Sequence, residues 1–234
     1  MTHLKVNQTK VISEVIAEIN NPPQAVDTLH RISSIEQLRE LWMIDGEAYE
    51  DCLLPFDVFE TWWRRYEPGM TQVRRDGELI ASIGIFPISP EQYTQFTTGV
   101  IAEAELLPVT LEECEVSPQQ YWYFSGVVLI PELRGKKKAP LKLLLSVALE
   151  QWRTSGHIQY PVHNCAMAYS EEGEQMVKRF SFLQIPNSES FPDYCPLYQM
   201  TLDSEQELLN LIRRRGCKVE LKQLSANIFY QYKR

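Results

Sequence analysis

The sequence of 234 residues predicts a mixed α/β fold, in which helices cover both faces of a central β-sheet. The run YWYFSGVVLI (121–130) is dense in aromatic and β-branched residues and barely alternates, as in a strand covered on both faces. A leucine-rich helical segment (139–153) follows it, and then a further apolar strand-like segment (158–168). Earlier in the chain, Asp76-Gly77 separates two strand-like segments and is typical of a hairpin turn.

Composition excludes several other classes of protein. Hydrophobic residues make up 44% of the chain and charged residues 23%, as in an ordinary globular protein. The net charge of −8 argues against a nucleic-acid binder, which needs a basic face. The five cysteines include no CxxC pair, which argues against a disulfide framework or a zinc site and indicates the reducing cytoplasm. No apolar run reaches the ~18 residues of a membrane span, so we expect no membrane partner.

The N-terminal 25 residues form a predicted helical extension of a single domain that spans residues 26–234. Apolar residues recur at helical spacing over 9–20, and Asn21-Pro22-Pro23 ends that helix. The apolar stripe packs on its own domain or, alternatively, on a partner chain such as the second copy of a homodimer.

Within the domain, the sequence predicts a mixture of strands and helices along the chain. A strand over 26–31 precedes a helix that Ser34 caps and that runs to about Tyr49, and a second helix covers about 56–66. Residues 90–120 are less regular and acidic, which is typical of a solvated surface. The remaining predicted elements are a strand at 79–86, a helix at 171–181, a strand at 194–202, a helix from Ser204 to near Gly216 with a Ser204–Glu207 capping box, and strands at 217–222 and 226–232.

A basic run lies where the 121–130 strand gives way to the following helix. Within LRGKKKAPLKLLL (133–145), Arg134 and the three lysines 136–138 place four cationic side chains in five positions. Backbone N–H groups at a helix start lack internal acceptors, and the helix dipole adds positive charge there, so the segment suits a diphosphate. The alternative is a solvated loop that balances nearby acids. The chain contains no GxxxxGK[ST], GxGxxG or HExxH motif, and no histidine has a partner at metal-ligand spacing, so no metal site is predicted.

The segment SGVVLIPELRGKKKAPLKLLL resembles motif A of the GNAT superfamily, the acetyl-CoA-dependent N-acyltransferases. In that family a bulged strand is followed by Arg/Gln-x-x-Gly-x-Gly/Ala at a helix start. Arg134 takes the first position and Ala139 the last, whereas Lys137 replaces the middle glycine. YSEEGEQMVKRFSFLQIP is similar to motif B, with Ser170 at its asparagine position. The resemblance covers about 26–202.

The resemblance implies that acetyl-CoA binds as cosubstrate in an opening between the fourth and fifth strands. Backbone groups of Val127, Val128 and Leu129 would hold the pantetheine. Ser170 is a further candidate for cofactor binding. The pyrophosphate would lie on the backbone of Arg134, Gly135, Lys136, Lys137, Lys138 and Ala139. The implied reaction is direct attack on the thioester by a primary amine of a small molecule or peptide. Two alternatives are a non-catalytic acyl-CoA-binding or protein-interaction module on the same fold, and an acyltransferase that uses a longer acyl chain.

Two groups that many family members use for proton transfer are replaced here. Cys165 stands where those members carry a glutamate base, and Val177 stands where they carry a tyrosine acid. The resemblance places the acceptor beside 42–66 and 90–120, and carboxylates there would attract a cationic amine.

The candidates for these two roles come from other segments. We expect proton removal through water toward Glu103 or Glu105, which alternate with Ala102, Ala104 and Leu106 and are predicted to share an outward face. Tyr169 is the candidate acid, because it directly precedes Ser170 at the end of the fifth strand. The alternative is an ordinary packed tyrosine.

Overall fold

A mixed seven-stranded β-sheet organises the protein in a computed structural model, which describes residues 27–49, 54–133 and 139–214. The strands are β1 (Asp27–Arg31), β2 (Met70–Arg75), β3 (Glu78–Pro87), β4 (Gln119–Leu129), β5 (Ile158–Met167), β6 (Leu183–Gln184) and β7 (Leu197–Leu202). The strand order is β1-β2-β3-β4-β5-β7-β6. All neighbouring strands are antiparallel except β4 and β5, which are parallel.

Helices connect the strands, and several begin at a side-chain cap. Ser34, Ser89 and Thr110 each accept a hydrogen bond from a backbone N–H in the first turn of their helix. The helices in the described part of the chain are α1 (Ile35–Ala48), α2 (Phe56–Arg65), α3 (Pro90–Thr97), α4 (Leu111–Val116), α5 (Ala139–Thr154), α6 (Glu171–Arg179) and α7 (Glu205–Arg214). None of them is both long enough and apolar enough to cross a membrane.

Neighbouring residues of β4 show that helices cover both faces of the sheet. Side chains of Trp122 and Tyr123 point to opposite faces, because successive strand residues alternate. The Trp122 ring lies 5.5 Å from that of Trp152 on α5, whereas the Tyr123 ring contacts Trp62 of α2 and Phe96 of α3. Both β4 side chains are fully buried. The predicted α/β fold and the central position of this strand are therefore confirmed.

β4 bulges and then separates from β5. Ile83 pairs with Val127 and Ile85 with Phe124, so two residues of β4 lie opposite Gly84. On the other side of β4, pairing with β5 ends at Phe124 and Ala166, while β5 remains paired with β7 to its end. The two central strands thus leave an opening between them at their carboxyl ends.

The predicted elements agree with the observed ones to within a few residues, apart from two differences. The segment predicted as irregular contains α3, a 3-10 turn (Glu103–Glu105) and α4. The short strand β6 was not predicted. The N-terminal helix, the basic residues 134–138 and the two C-terminal strands predicted at 217–222 and 226–232 lie outside the described residues.

Candidate functional site

A buried carboxyl group lies between two tyrosine hydroxyls beside the opening. Glu103 is only 3% exposed. The Tyr169 hydroxyl donates a hydrogen bond to its Oε2, and the Tyr123 hydroxyl donates one to its Oε1. Tyr123 projects from β4, and Tyr169 follows the end of β5. The two strands that enclose the opening therefore hold one carboxyl group between them.

The backbone around Glu103 is fixed by a residue from a distant loop. The Glu103 N–H donates to Oδ2 of Asp193 over 2.9 Å. Asp193 is half-buried, and this burial raises the pKa of its carboxyl. A second carboxylate therefore lies next to the first, and its charge also raises the pKa of Glu103.

Burial raises the pKa of Glu103 from 4.5 to about 7, although the hydrogen bonds from Tyr123 and Tyr169 act in the opposite direction. Burial and the neighbouring carboxylate hold the pKa of both tyrosine hydroxyls well above 10. Near neutral pH the carboxyl can therefore take up or release a proton, while the two phenols stay protonated. Such a group suits general acid–base chemistry.

Tyr49, the residue that ends α1, crosses the opening. Its hydroxyl donates to the backbone carbonyl of Val127 on β4 over 3.1 Å. Its ring lies 5.5 Å from that of Tyr169, centroid to centroid. A Cβ atom at Gly126 would lie 3.6 Å from the Tyr49 ring, so the ring covers the bulge of β4. Tyr49 thus contacts both sides of the opening.

A further carboxylate faces this cluster from α1. Oδ1 of Asp45 is buried and accepts no hydrogen bond from any described residue. Burial, and to a smaller extent the nearby Glu103 charge, together raise the pKa of Asp45 to about 8. Asp45 lies one helical turn before Tyr49, so one end of one helix directs both side chains to the same site.

The structure unites two of the three predicted catalytic residues and separates the third. Glu103 and Tyr169 are hydrogen-bonded partners. The predicted outward face shared by Glu103 and Glu105 is wrong, because Glu103 is buried. Glu105 is exposed, and its carboxylate accepts a hydrogen bond from the Ala102 N–H over 2.9 Å. The cause is the 3-10 turn, in which residues three apart share a side: Glu103 and Leu106 are buried together.

Among the predicted cofactor residues, those on β4 lie beside the opening. Val127, Val128 and Leu129 pair with β3 on one side, at the point where β5 has left β4 on the other. The Ser170 hydroxyl accepts from the Gly173 N–H over 3.1 Å and so caps α6. Ala139 begins α5. The remaining residues, Arg134, Gly135, Lys136, Lys137 and Lys138, lie outside the described chain.

Sequence reasoning missed the roles of Asp45, Tyr123 and Asp193 in this site. A signal for Asp45 was present, since it follows Leu38 and Leu41 on the apolar stripe of α1. A carboxylate on a buried stripe is unusual and therefore informative. No local signal indicated Asp193, which reaches Glu103 across 90 residues of sequence.

Two other chemistries find no support in the described residues. Cys165 is fully buried, and this burial raises the pKa of its thiol, so it is not a reactive nucleophile. In the described ranges, no group of three or more His, Cys, Asp and Glu side chains is arranged to hold a metal ion.

Comparison with known proteins identifies the fold of this chain. No protein-family model and no curated protein sequence matches the chain. Solved structures do match. FeeM, an N-acyl amino acid synthase from uncultured soil microbes, is 11% identical with a TM-score of 0.53, covering 87% of this chain and 100% of its own.

Two further structures agree with it. The loading GNATL domain of CurA from Lyngbya majuscula is 14% identical with a TM-score of 0.51, covering 75% of this chain and 98% of its own. Ard1 from Thermoplasma volcanium is 9% identical with a TM-score of 0.51, covering 75% of this chain and 97% of its own. At such low identities the structural likeness shows a shared fold and nothing more. The chain therefore has the GNAT fold that its sequence predicts.

Proposed function

We propose that this protein is an N-acyltransferase that moves an acetyl group from acetyl-CoA to a primary amine. The observation that carries this proposal is the Glu103 carboxyl, which is buried and held by Tyr169 and Tyr123 beside the opening. Direct transfer needs an amine that loses a proton and a thiolate that gains one. One group that titrates near neutral pH can serve both needs.

The opening between β4 and β5 supports binding of an extended acyl donor. The bulged part of β4 has β3 on one side only, so the backbone of Val127 and Val128 can bond a pantetheine-like chain as an added strand would. The bulge at Ser125 and Gly126 also redirects backbone groups toward the opening. These features fit acetyl-CoA, whose thioester supplies the activated acyl group.

Glu103 and Tyr169 form a proton relay in this proposal. As the amine nitrogen bonds to the acyl carbon, the amine proton passes to the Tyr169 oxygen, and the Tyr169 proton passes to Oε2 of Glu103. As the carbon–sulfur bond breaks, the proton returns from Glu103 through Tyr169 to the thiolate. Tyr123 keeps its proton and holds the second carboxyl oxygen in place. The products are an amide and CoA, and the enzyme returns to its starting state.

Thiol release from acetyl-CoA, measured against a panel of primary amines, tests the proposal. Glu103→Gln and Tyr169→Phe should each lower kcat by roughly ten- to a thousand-fold with little change in acetyl-CoA affinity, as expected for lost acid–base help. Tyr194→Phe is the matched control, because this tyrosine is 79% exposed and its hydroxyl should be dispensable. Acetyl-CoA binding without turnover of any amine would favour the alternative, a non-catalytic acyl-CoA-binding module.

A further inference from the structure

We propose that the acceptor is a diamine and that Asp45 binds its second, non-reacting ammonium group. This inference rests on the proposed acyl transfer and deepens it by naming the class of acceptor. It depends on three observations: the position of Asp45 on α1, its missing hydrogen-bond partner, and the charge of its surroundings.

The position of Asp45 is one where an apolar side chain is expected. Leu38 and Leu41 are fully buried on α1, and Asp45 continues their stripe at helical spacing. Within residues 27–49, 54–133 and 139–214, no donor reaches its buried Oδ1. A buried carboxyl oxygen without a hydrogen bond is costly, and such groups are rare in folded proteins. A ligand that donates to this oxygen would remove the cost.

The surroundings of Asp45 are acidic. Glu103 and Asp193 lie in the same cluster, and none of the three carboxylates forms an ion pair with a described lysine or arginine. Burial leaves Asp45 and Glu103 partly protonated near neutral pH, and a cation that binds beside them favours the ionised carboxylates and is attracted by them. The site therefore favours a positively charged ligand.

Two functions are assigned to two separate positions in this cluster. The reacting amine must reach Tyr169, whose hydroxyl contacts Glu103, and it must be neutral when it attacks. Asp45 lies on a different element, α1, and in the described structure it forms no hydrogen bond with Tyr169 or Tyr123. A monoamine would leave Oδ1 of Asp45 without a partner, whereas the far ammonium of a diamine can donate to it.

The test compares three acceptors with the same carbon chain: butylamine, aminobutanol with its amine and hydroxyl at opposite ends, and diaminobutane with an amine at each end. With wild-type protein, kcat/KM should be about tenfold or more higher for diaminobutane than for aminobutanol, as expected for a buried charge-assisted hydrogen bond. Asp45→Asn should abolish this preference, so that its kcat/KM for diaminobutane approaches its own value for aminobutanol. Glu47→Gln removes the same charge from an exposed position of the same helix and should keep the preference.

Calorimetry with diaminobutane alone makes the inference independent of turnover. Wild-type protein should bind it, and Asp45→Asn should bind it at least about tenfold more weakly. Equal kcat/KM for the three acceptors in wild-type protein would overturn the inference and leave the proposed acyl transfer intact. Asp45-dependent binding of diaminobutane without turnover would support the cation site and contradict the acyl transfer. If wild-type protein does not bind diaminobutane, the inference is wrong.

Discussion

The hydroxyl of Tyr49 donates a hydrogen bond to the backbone carbonyl of Val127 over 3.1 Å, although 78 residues separate the two in sequence. This bond joins the end of α1 to β4 just past its bulge. The Tyr49 ring also lies beside Tyr169 at the end of β5. One side chain therefore limits the width of the opening in which we place the acyl group.

Removal of the Tyr49 ring should broaden the range of acyl donors. Tyr49→Ala deletes the aromatic group between Gly126 and Tyr169, so the opening gains room for a longer chain. We expect the ratio of kcat/KM for octanoyl-CoA to that for acetyl-CoA to rise about tenfold or more, because a few added methylenes in an apolar pocket carry that much discrimination. Tyr49→Phe keeps the ring and serves as the control. An unchanged ratio in Tyr49→Ala would show that Tyr49 does not set the chain length.

Much of the fold could be predicted because its signals are local. Residues 121–130 read as a central strand, and Ser34 and Asp76-Gly77 identified a cap and a turn that the structure confirms. The helices α3 and α4 were missed although signals existed. Ser89 precedes Pro90, and Thr110 and Glu113 form a capping box; both are typical of helix starts.

The site could be predicted only in part, because its contacts are long-range. Glu103 and Tyr169 were both named as candidates, but their hydrogen bond joins residues 66 apart, and no spacing rule indicates it. Acidic and apolar residues alternate over 102–106, and this strand-like pattern wrongly predicted that the Glu103 side chain is exposed. The segment forms a 3-10 turn instead, and its backbone is hydrogen-bonded to Asp193 from a remote loop.

The pH dependence of turnover should report Glu103. Its burial raises the pKa to about 7, and the carboxylate form is the one that accepts the proton from Tyr169. At saturating amine, kcat should rise with pH by about tenfold per unit below about pH 6 and level off above about pH 8. The Glu103→Gln variant should lose this inflection and retain only the ionisation of the amine. The same inflection in both proteins would assign it to another group.

Binding of acetyl-CoA should depend on the basic residues 134–138, which lie outside the described chain. Arg134→Glu combined with Lys136→Glu should diminish the rise in Tm that saturating acetyl-CoA causes in the wild type, since both changes place negative charge near the diphosphate. Added salt should also weaken the wild-type effect. The control reverses two exposed arginines, Arg179→Glu with Arg213→Glu, for the same change in net charge. Equal Tm shifts in both double variants would place the diphosphate elsewhere.

Folding stability should fall as pH rises from about 5 to about 8. The carboxyls of Asp45 and Glu103 have pKa values raised from 3.8 to about 8 and from 4.5 to about 7 by burial. Over this range the folded protein holds protons that the unfolded chain has released. Since folding takes up protons, higher pH favours the unfolded state.

Urea unfolding of the wild type at several pH values should therefore give a free energy of unfolding that declines with pH. Asp45→Asn combined with Glu103→Gln should flatten the decline, because neither new side chain titrates. Glu47→Gln combined with Glu112→Gln changes the same number of charges at exposed positions and should preserve it. A wild-type stability that rises over this range would contradict the burial of the two carboxyls.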